Sequence, residues 1–252
     1  MALSTLICDV DGTLANTERD GHRVAYNQAF AEAGLDWEWS VALYGDLLQV
    51  AGGKERMRFY VDRYRPDFRN RSDISQLITQ LYVAKTRFFA ERVSAEGIPL
   101  RTGVLRLLRE AQAAGLRLAI ATTTNPHNVR ALLDANLGTS GWHGFACIAT
   151  GDMVPRKKPA PDLYQYVLDR LGVHASECVG FEDSAIGVSA ARAASIPVVV
   201  TINEYTKGQD FTGAYCVLDH LGEPDQPFTV LAGDVGNVRL VDVALLRTIA
   251  GR

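Results

Sequence analysis

The sequence predicts an α/β protein in which an all-helical domain is inserted into a doubly wound parallel sheet. Short apolar runs of strand length alternate with stretches of helical periodicity, a pattern typical of a parallel sheet with helices on both faces. Residues 15–98 interrupt this alternation, because they have helical periodicity and almost no strand signal. We therefore expect a Rossmann-like α/β core formed by residues 1–14 and 99–252, and an inserted helical cap formed by residues 15–98.

The positions of the expected elements follow from the same periodicity. The predicted strands are 3–8, 116–121, 145–149, 178–181 and 197–202, with a weaker run at 215–218. The predicted helices are 16–33, 72–91, 101–114, 163–171 and about 240–249. From residue 205 onward the chain has loops rich in Gly, Pro and Asp and a last helix, and we expect no catalytic residue there.

Composition excludes several classes of function. The 252 residues carry a net charge of only −3, so there is no basic surface of the kind that binds nucleic acid. No apolar run approaches the ~18 residues that span a bilayer, and the first run is too short for a signal peptide because Asp9 follows it. The four cysteines are scattered without a Cys-x-x-Cys pair, which is typical of reduced core residues in a cytoplasmic protein. We expect a monomer that acts on a small molecule.

The first predicted strand ends in two carboxylates, Asp9 and Asp11, followed by Gly and Thr. In an extended chain, residues two apart point to the same face. Ligands of open α/β sheets bind at the carboxyl ends of the strands, so both carboxylates should face such a site. Two like charges this close need a divalent cation, a shared proton, or both. Taken alone, the pattern also fits a strand end followed by an Asp-Gly turn.

Three later strand ends carry polar residues as well. Residues 122–125, Thr-Thr-Thr-Asn, follow the second strand and offer hydroxyls suited to phosphoryl oxygens. Lys158 directly precedes a proline at the start of a predicted helix, and the proline restricts where it points. Glu182 and Asp183 end the fourth strand and are hard oxygen ligands suited to Mg²⁺. Taken singly, these residues are also ordinary strand formers, helix caps or surface charges.

These four strand ends, in this order, resemble the four signatures of the haloacid dehalogenase superfamily. The most similar branch is the CbbY-type phosphatases, on the segments Asp-Val-Asp-Gly-Thr at 9–13, Gly-Gly-Lys-Glu-Arg at 52–56, Lys-Lys-Pro-Ala-Pro-Asp at 157–162 and Glu-Asp-Ser at 182–184. Enzymes of that branch hydrolyse xylulose-1,5-bisphosphate, and β-phosphoglucomutase is structurally close to them. One departure is Arg-Thr-Gly at 101–103, where the branch often has Arg-Pro-Gly.

The resemblance implies a mechanism. Asp9 would attack phosphorus to form a phosphoaspartyl intermediate, and Asp11 would protonate the leaving alkoxide and then take a proton from water. Lys158 would neutralise the phosphate, and Thr122 would hold the phosphoryl oxygens. A second Asp argues against dehalogenation, because a leaving halide needs no proton. The implied Mg²⁺ ligands are Asp9, Asp11, Glu182 and Asp183.

Residues of the cap are expected to select the substrate. Glu18 and His22 are spaced i, i+4 and share a helix face, which would contact substrate hydroxyls or else be solvated. The Gly-Gly pair at 52–53 lets the backbone approach an anion at a helix start, and Lys54 and Arg56 add two cations. Two cations favour a second phosphate, hence a sugar bisphosphate; the alternative is a helix start with basic surface residues. The expected substrate-binding residues are Glu18, His22, Gly53, Lys54, Arg56, Thr123 and Asn125.

Two other functions are compatible with the sequence. A phosphomutase would use nearly the same site, with a bisphosphate intermediate that returns its phosphate to Asp9. A non-catalytic binding module on the same fold is disfavoured, since a binder would have no need of the complete set of polar strand ends. Arg156 and Lys157 are expected to be surface charges. Lys85 is expected to be solvated, with contact to the substrate as the alternative.

Overall fold

One seven-stranded sheet runs through the computed structural model, which describes residues 2–139 and 141–251. The strands are β1 Thr5–Cys8, β2 Arg117–Ala121, β3 Cys147–Ala149, β4 Cys178–Glu182, β5 Val198–Thr201, β6 Cys216–Leu218 and β7 Val230–Gly233. Their order is β3-β2-β1-β4-β5-β6-β7. All neighbouring pairs are parallel except β6 with β7. The chain changes its winding direction between β1 and β4, so their carboxyl ends flank the crevice where such sheets bind ligands.

The predicted fold class is confirmed. Six strands coincide with the six predicted runs and differ from them by one or two residues at the ends. The seventh, β7, was not predicted, because all four of its residues are exposed and a short edge strand has no buried apolar face. Among the described residues no helix combines the length and the apolar character needed to cross a membrane.

Five helices of the core cover the two faces of the sheet. They are α6 Val104–Ala113, α7 Pro126–Leu137, α8 Asp162–Leu171, α9 Ala185–Ala193 and α10 Val243–Ala250. Side chains of β1 alternate between the faces: Leu6 and Cys8 pack with α6, α7 and α10, whereas Ile7 packs with α8 and α9. The period of two along a strand thus produces a core on each side of the sheet.

The inserted segment is helical, with α1 Arg23–Glu32, α2 Val41–Leu47, α3 Gly53–Tyr64, α4 Pro66–Arg69 and α5 Ile74–Glu96. The helix predicted at 16–33 is instead a π-helical turn, Glu18–His22, followed by α1. Ala15 forms backbone bridges with Asp11 and Leu100, so the two linkers run side by side. The boundaries 14/15 and 98/99 remain a prediction, which this pairing supports.

The cap has a hydrophobic cluster of its own, built largely from aromatic rings. Trp39 is fully buried, and its ring centroid lies 4.5 Å from that of Tyr26, 5.0 Å from Phe30 and 5.4 Å from Tyr60. Trp37 packs in the same cluster, so both tryptophans lie inside the cap. Tilted and edge-on rings at these separations add to the free energy of burial.

Arg101 lies where the chain returns from the cap, and its guanidinium joins three loops at the carboxyl edge of the sheet. It donates to the carbonyl of Gly12 after β1, to that of Thr201 at the end of β5 (3.0 Å), and to that of Asp219 after β6 (2.9 Å). The hinge is therefore attached directly to the loop that carries the first carboxylates.

The aromatic cluster predicts a large loss of stability on truncation. Trp39→Ala should lower the free energy of unfolding by about 3–5 kcal/mol, because a large buried ring leaves a cavity. Urea unfolding followed by circular dichroism measures this. Val83→Ala is the control, since Val83 lies on α5 of the same cap and is 64% exposed, and it should change the value by less than about 0.5 kcal/mol. A change below about 1 kcal/mol for Trp39→Ala would contradict the packing described here.

Candidate active site

Lys158 lies between two carboxylates at the switch point of the sheet. Its Nζ atom is 2.7 Å from Oδ1 of Asp9, just after β1, and 2.5 Å from Oε1 of Glu182, at the end of β4. All three side chains are buried. Burial raises the pKa of Asp9 to about 7, against the opposing effect of Lys158. Burial alone would lower the pKa of Lys158, but Asp9 and Glu182 raise it above its usual range, so the lysine stays charged.

Three carboxylates form a group that fits a hard cation. Asp9, Glu182 and Asp183 each offer an oxygen within 4.8 Å of the others. Burial, Asp9 and Glu182 together raise the pKa of Asp183 well above its usual value. Oε1 of Glu182, which accepts from Lys158, also accepts from the Tyr164 hydroxyl (2.5 Å). This oxygen therefore already has two hydrogen-bond donors. Each of the three carboxylates keeps one oxygen free of these bonds, so Asp9, Glu182 and Asp183 together could hold Mg²⁺.

Glycine at position 187 makes room for this arrangement. A Cβ atom at Gly187 in α9 would lie 1.9 Å from Oε2 of Glu182. Oε2 has no hydrogen-bond partner among the described residues. Only a residue without a side chain allows the helix to approach the carboxylate this closely.

Asp11 lies outside the group of three carboxylates, and its predicted role as a metal ligand stays a prediction. Its Oδ1 atom accepts from Oγ1 of Thr17 (2.6 Å) and contacts Nε2 of His22 (2.8 Å). Nδ1 of His22 lies 2.8 Å from Nζ of Lys85. A charged lysine can only donate, so Nδ1 accepts, and Nε2 must carry the proton that is donated to Asp11.

The cap therefore supplies the groups that control Asp11. Burial would raise the pKa of Asp11, but His22 and Thr17 hold it well below the usual range of an aspartate. With this lowered pKa, Asp11 is ionised at neutral pH. Thr17 stands at the start of the π-helical turn, but its side chain makes no capping hydrogen bond and donates to Asp11 instead.

His22 and Lys85, two residues of the cap, lie in other places than expected. His22 does not line the cavity; it is buried, stacked on Phe89 with ring centroids 4.0 Å apart, and contacts Asp11 rather than a substrate hydroxyl. Lys85 was expected in solvent but is buried. The periodicity contained this signal, because Lys85 lies midway between Leu81 and Phe89 on the buried stripe of α5.

A cavity between cap and core collects most of the remaining predicted residues. Its core side is lined by Asp9, Asp11, Thr122, Thr123, Lys158 and Asp183, and its cap side by Glu18 and Arg56 among others. Arg56 is buried and donates from Nη1 to the Tyr44 hydroxyl (3.0 Å), which in turn donates to Glu18. Nε of Arg56 is buried with no partner among the described residues, which leaves a donor for a ligand.

Besides His22, three predicted substrate residues lie outside the cavity lining. Lys54 is exposed, and its Nζ is 5.1 Å from the Tyr82 ring centroid. It is two residues before Arg56 on a helix, and such positions face different directions. Gly53 packs closely against Tyr82 instead of facing the cavity. Asn125 caps α7 through the amide of Asn128 (3.0 Å) and is used for structure.

Contacts across the cleft show that the cap is docked on the core. Nδ2 of Asn125 donates to Oγ1 of Thr86 on α5 (2.9 Å). Nζ of Lys157 lies 2.6 Å from Oε1 of Glu55 on α3, so Lys157 is not the free surface charge that was expected. Arg156, in contrast, is exposed and paired with Asp162 (2.8 Å).

Sequence reasoning missed the loop after β5. Asn203, Tyr205, Thr206 and Gln209 all line the cavity, although no catalytic residue was expected from position 205 onward. Ligands of parallel sheets bind at the carboxyl ends of the strands, and the other residues were predicted on this ground. The same reasoning applies to β5, which is parallel to β4. Its loop was overlooked because it contains no pair of charged residues directly after the strand.

The buried Lys85 predicts an unusual dependence of stability on pH. Burial lowers the pKa of Lys85 to about 8, from 10.5 for an exposed lysine. At pH 7 the folded protein bears the full cost of a buried charge, and this cost disappears as the pH rises from 8 to 10.5, where the folded lysine is neutral. Lys85→Met should therefore stabilise the protein at pH 7 by about 1–3 kcal/mol, and the gain should shrink toward pH 10.

Urea unfolding at pH 7 and pH 10 measures this gain. Lys207→Met is the control, because Lys207 is exposed, and should have little effect at either pH. If Lys85→Met were destabilising at pH 7, the hydrogen bond to His22 would outweigh the cost of burial.

Comparison with known proteins gives the family. The model of the haloacid dehalogenase-like hydrolases matches residues 3–195. Protein CbbY of Cupriavidus necator is 49% identical over 246 residues, which cover 97% of this chain and 96% of that protein. A putative β-phosphoglucomutase from Thermotoga maritima, 24% identical with a TM-score of 0.62 over 85% of this chain and 94% of that chain, shares the fold.

Solved structures of CbbY from Rhodobacter sphaeroides agree with this. The complex with phosphate is 40% identical, with a TM-score of 0.80 over 86% of this chain and 94% of that chain. A mutant of that protein in complex with xylulose-(1,5)bisphosphate is 39% identical, with the same TM-score and coverage. The resemblance drawn from the four strand ends is confirmed: the chain belongs to the haloacid dehalogenase-like hydrolases, and it is a phosphatase similar to CbbY.

Proposed function

We propose that the protein is a Mg²⁺-dependent phosphatase that hydrolyses a pentulose bisphosphate such as xylulose-1,5-bisphosphate. The observation that carries this proposal is the pairing of two cationic positions across one cavity, Lys158 beside Asp9 on the core side and Arg56 on the cap side. A monophosphate needs only the first. The complex of the related CbbY with xylulose-(1,5)bisphosphate supports the same substrate class.

Asp9 is the proposed nucleophile. Its carboxylate attacks phosphorus, the bond from phosphorus to the sugar oxygen breaks, and an aspartyl phosphate forms. Lys158, 2.7 Å from Asp9, opposes the rise in the pKa of this carboxylate that burial causes and offsets the charge of the incoming phosphate, and Thr122 holds the phosphoryl oxygens. Mg²⁺ held by Asp9, Glu182 and Asp183 would add the positive charge that a dianionic phosphate requires.

Asp11 is the proposed general acid and base. Asp11 must enter the first step protonated: it gives that proton to the leaving sugar oxygen, and in the second step it takes a proton back from the water that hydrolyses the aspartyl phosphate. Because His22 and Thr17 hold its pKa low, the negative charge of the bound phosphate has to raise it first. His22 keeps a proton on Nε2, directed at Asp11, because Lys85 occupies Nδ1. Both partners belong to the cap, so Asp11 is fully supported only when the cap is docked.

We propose further that the protein works as a monomer in the cytoplasm. Its four cysteines are free and buried, as expected in a reducing compartment. Size-exclusion chromatography with light scattering tests the monomer.

The nucleophile is tested by phosphate release from sugar mono- and bisphosphates. Asp9→Asn should lower kcat for a pentulose bisphosphate by about 10⁴-fold or more, since no covalent intermediate can form, and removal of Mg²⁺ with EDTA should abolish the wild-type activity. Asp169→Asn, an exposed exchange on α8, is the matched control and should keep full activity. Conversion of β-glucose 1-phosphate to the 6-phosphate without phosphate release would instead identify a mutase.

The second phosphate is tested at Arg56. Arg56→Met should raise KM for a pentulose bisphosphate by about 10–100-fold, which is the usual loss of affinity when a hydrogen bond to a charged group is removed. KM for a monophosphate should change by less than about threefold. Arg63→Met, on the exposed face of the same helix, should change neither. An equal rise for both substrates would remove the argument for a bisphosphate.

A further inference from the structure

The turn that follows β5 touches both a carboxylate of the candidate metal site and the cap. Nδ2 of Asn203 donates to Oδ2 of Asp183 (2.6 Å). Oδ1 of Asn203 accepts from the backbone amide of Tyr205 (2.9 Å). Because that oxygen already has a donor, the amide orientation is determined, and it is the nitrogen that must face Asp183.

The turn holds itself in this shape. The backbone amide of Asn203 donates to Oγ1 of Thr206 (2.9 Å), and the amide of Thr206 donates to the carbonyl of Asn203 (3.2 Å). Thr206 is buried. The position of Asn203 is therefore fixed by reciprocal hydrogen bonds and does not depend on Asp183 alone.

The other side of the turn packs on the cap. The ring of Tyr205 meets Tyr44 edge-on, with centroids 6.0 Å apart at 70°. A Cβ atom at Gly45 would lie 3.1 Å from Cδ1 of Tyr205, so the ring packs closely against α2 at a position that has no side chain. Beside it, Glu204 forms an ion pair with Arg19 of the cap (2.9 Å).

We propose that Asn203 is a positioning residue for Asp183, and that the turn Asn203–Thr206 makes the orientation of this carboxylate depend on docking of the cap. By binding Oδ2, the amide leaves Oδ1 directed at the site shared with Asp9 and Glu182. Without it, a carboxylate surrounded by two others would rotate to increase their separation. The inference rests on the proposed function only for the identity of the metal.

Calorimetric titration of the full chain with Mg²⁺ alone tests this without any substrate. Asn203→Ala should weaken Mg²⁺ binding by about 10–100-fold, the usual effect of removing a hydrogen bond to a metal ligand. Tyr205→Ala should weaken it by a smaller factor, about threefold or more, because the turn loses its support on the cap. Tyr205→Phe, which keeps the ring, and Lys207→Ala, an exposed change in the same loop, should bind as the wild type does.

A second measurement separates positioning from general damage. If Asn203 acts through Asp183, raising Mg²⁺ should restore most of the kcat of Asn203→Ala, whereas a misfolded variant would not recover. Mg²⁺ affinity of Asn203→Ala within twofold of wild type would overturn the proposal, and an unchanged affinity for Tyr205→Ala would overturn the link to the cap. A wild type that does not bind Mg²⁺ would reject the proposed function instead, as would a Mg²⁺-binding wild type without phosphatase activity.

Discussion

The charge balance around Lys158 is the constraint on which the site depends. Asp9, Glu182 and Asp183 are buried close together, and the ammonium group of Lys158 bonds to two of them. Buried like charges are tolerated only when they are paired or neutralised. One lysine compensates one of the three carboxylates and leaves an excess negative charge beside Asp183. A divalent cation is the ligand that this excess favours, so the structural ion pairs and the proposed metal chemistry have the same origin.

The order of the strands in the sheet brings these groups together. β1 and β4 are neighbours in the parallel sheet, so the residues that follow them meet at one edge. β2 and β5, on either side, bring Thr122 and Asn203 to the same edge. The cap then adds the partners of Asp11 from above. Core residues therefore carry the proposed bond making and breaking, while proton control is shared across the domain boundary.

The sequence was sufficient for the fold class and for bringing Asp9, Thr122 and Asp183 to one cavity, because both follow from strand periodicity and from the residues at the strand ends. It was less informative for the cap. Whether His22 faces substrate or Asp11, and whether Lys85 is solvated or buried, depends on how helices pack on one another, which the spacing of residues along one helix does not determine. Asn203 escaped notice because an amide becomes functional only through its neighbour Asp183, 20 residues away in the chain.

The ion pairs at the rim of the cleft have a consequence for how salt affects the cap. Glu55–Lys157 and Arg19–Glu204 join cap to core, and most of these side chains are substantially exposed, so each contributes only about 0–1 kcal/mol. The hydrogen bonds of Asp11 with His22 and Thr17 also join core to cap, and both cap residues are buried. Salt screens exposed charges much more than buried ones. Raising the ionic strength should therefore loosen the contacts at the rim of the cleft while the cap stays attached at Asp11.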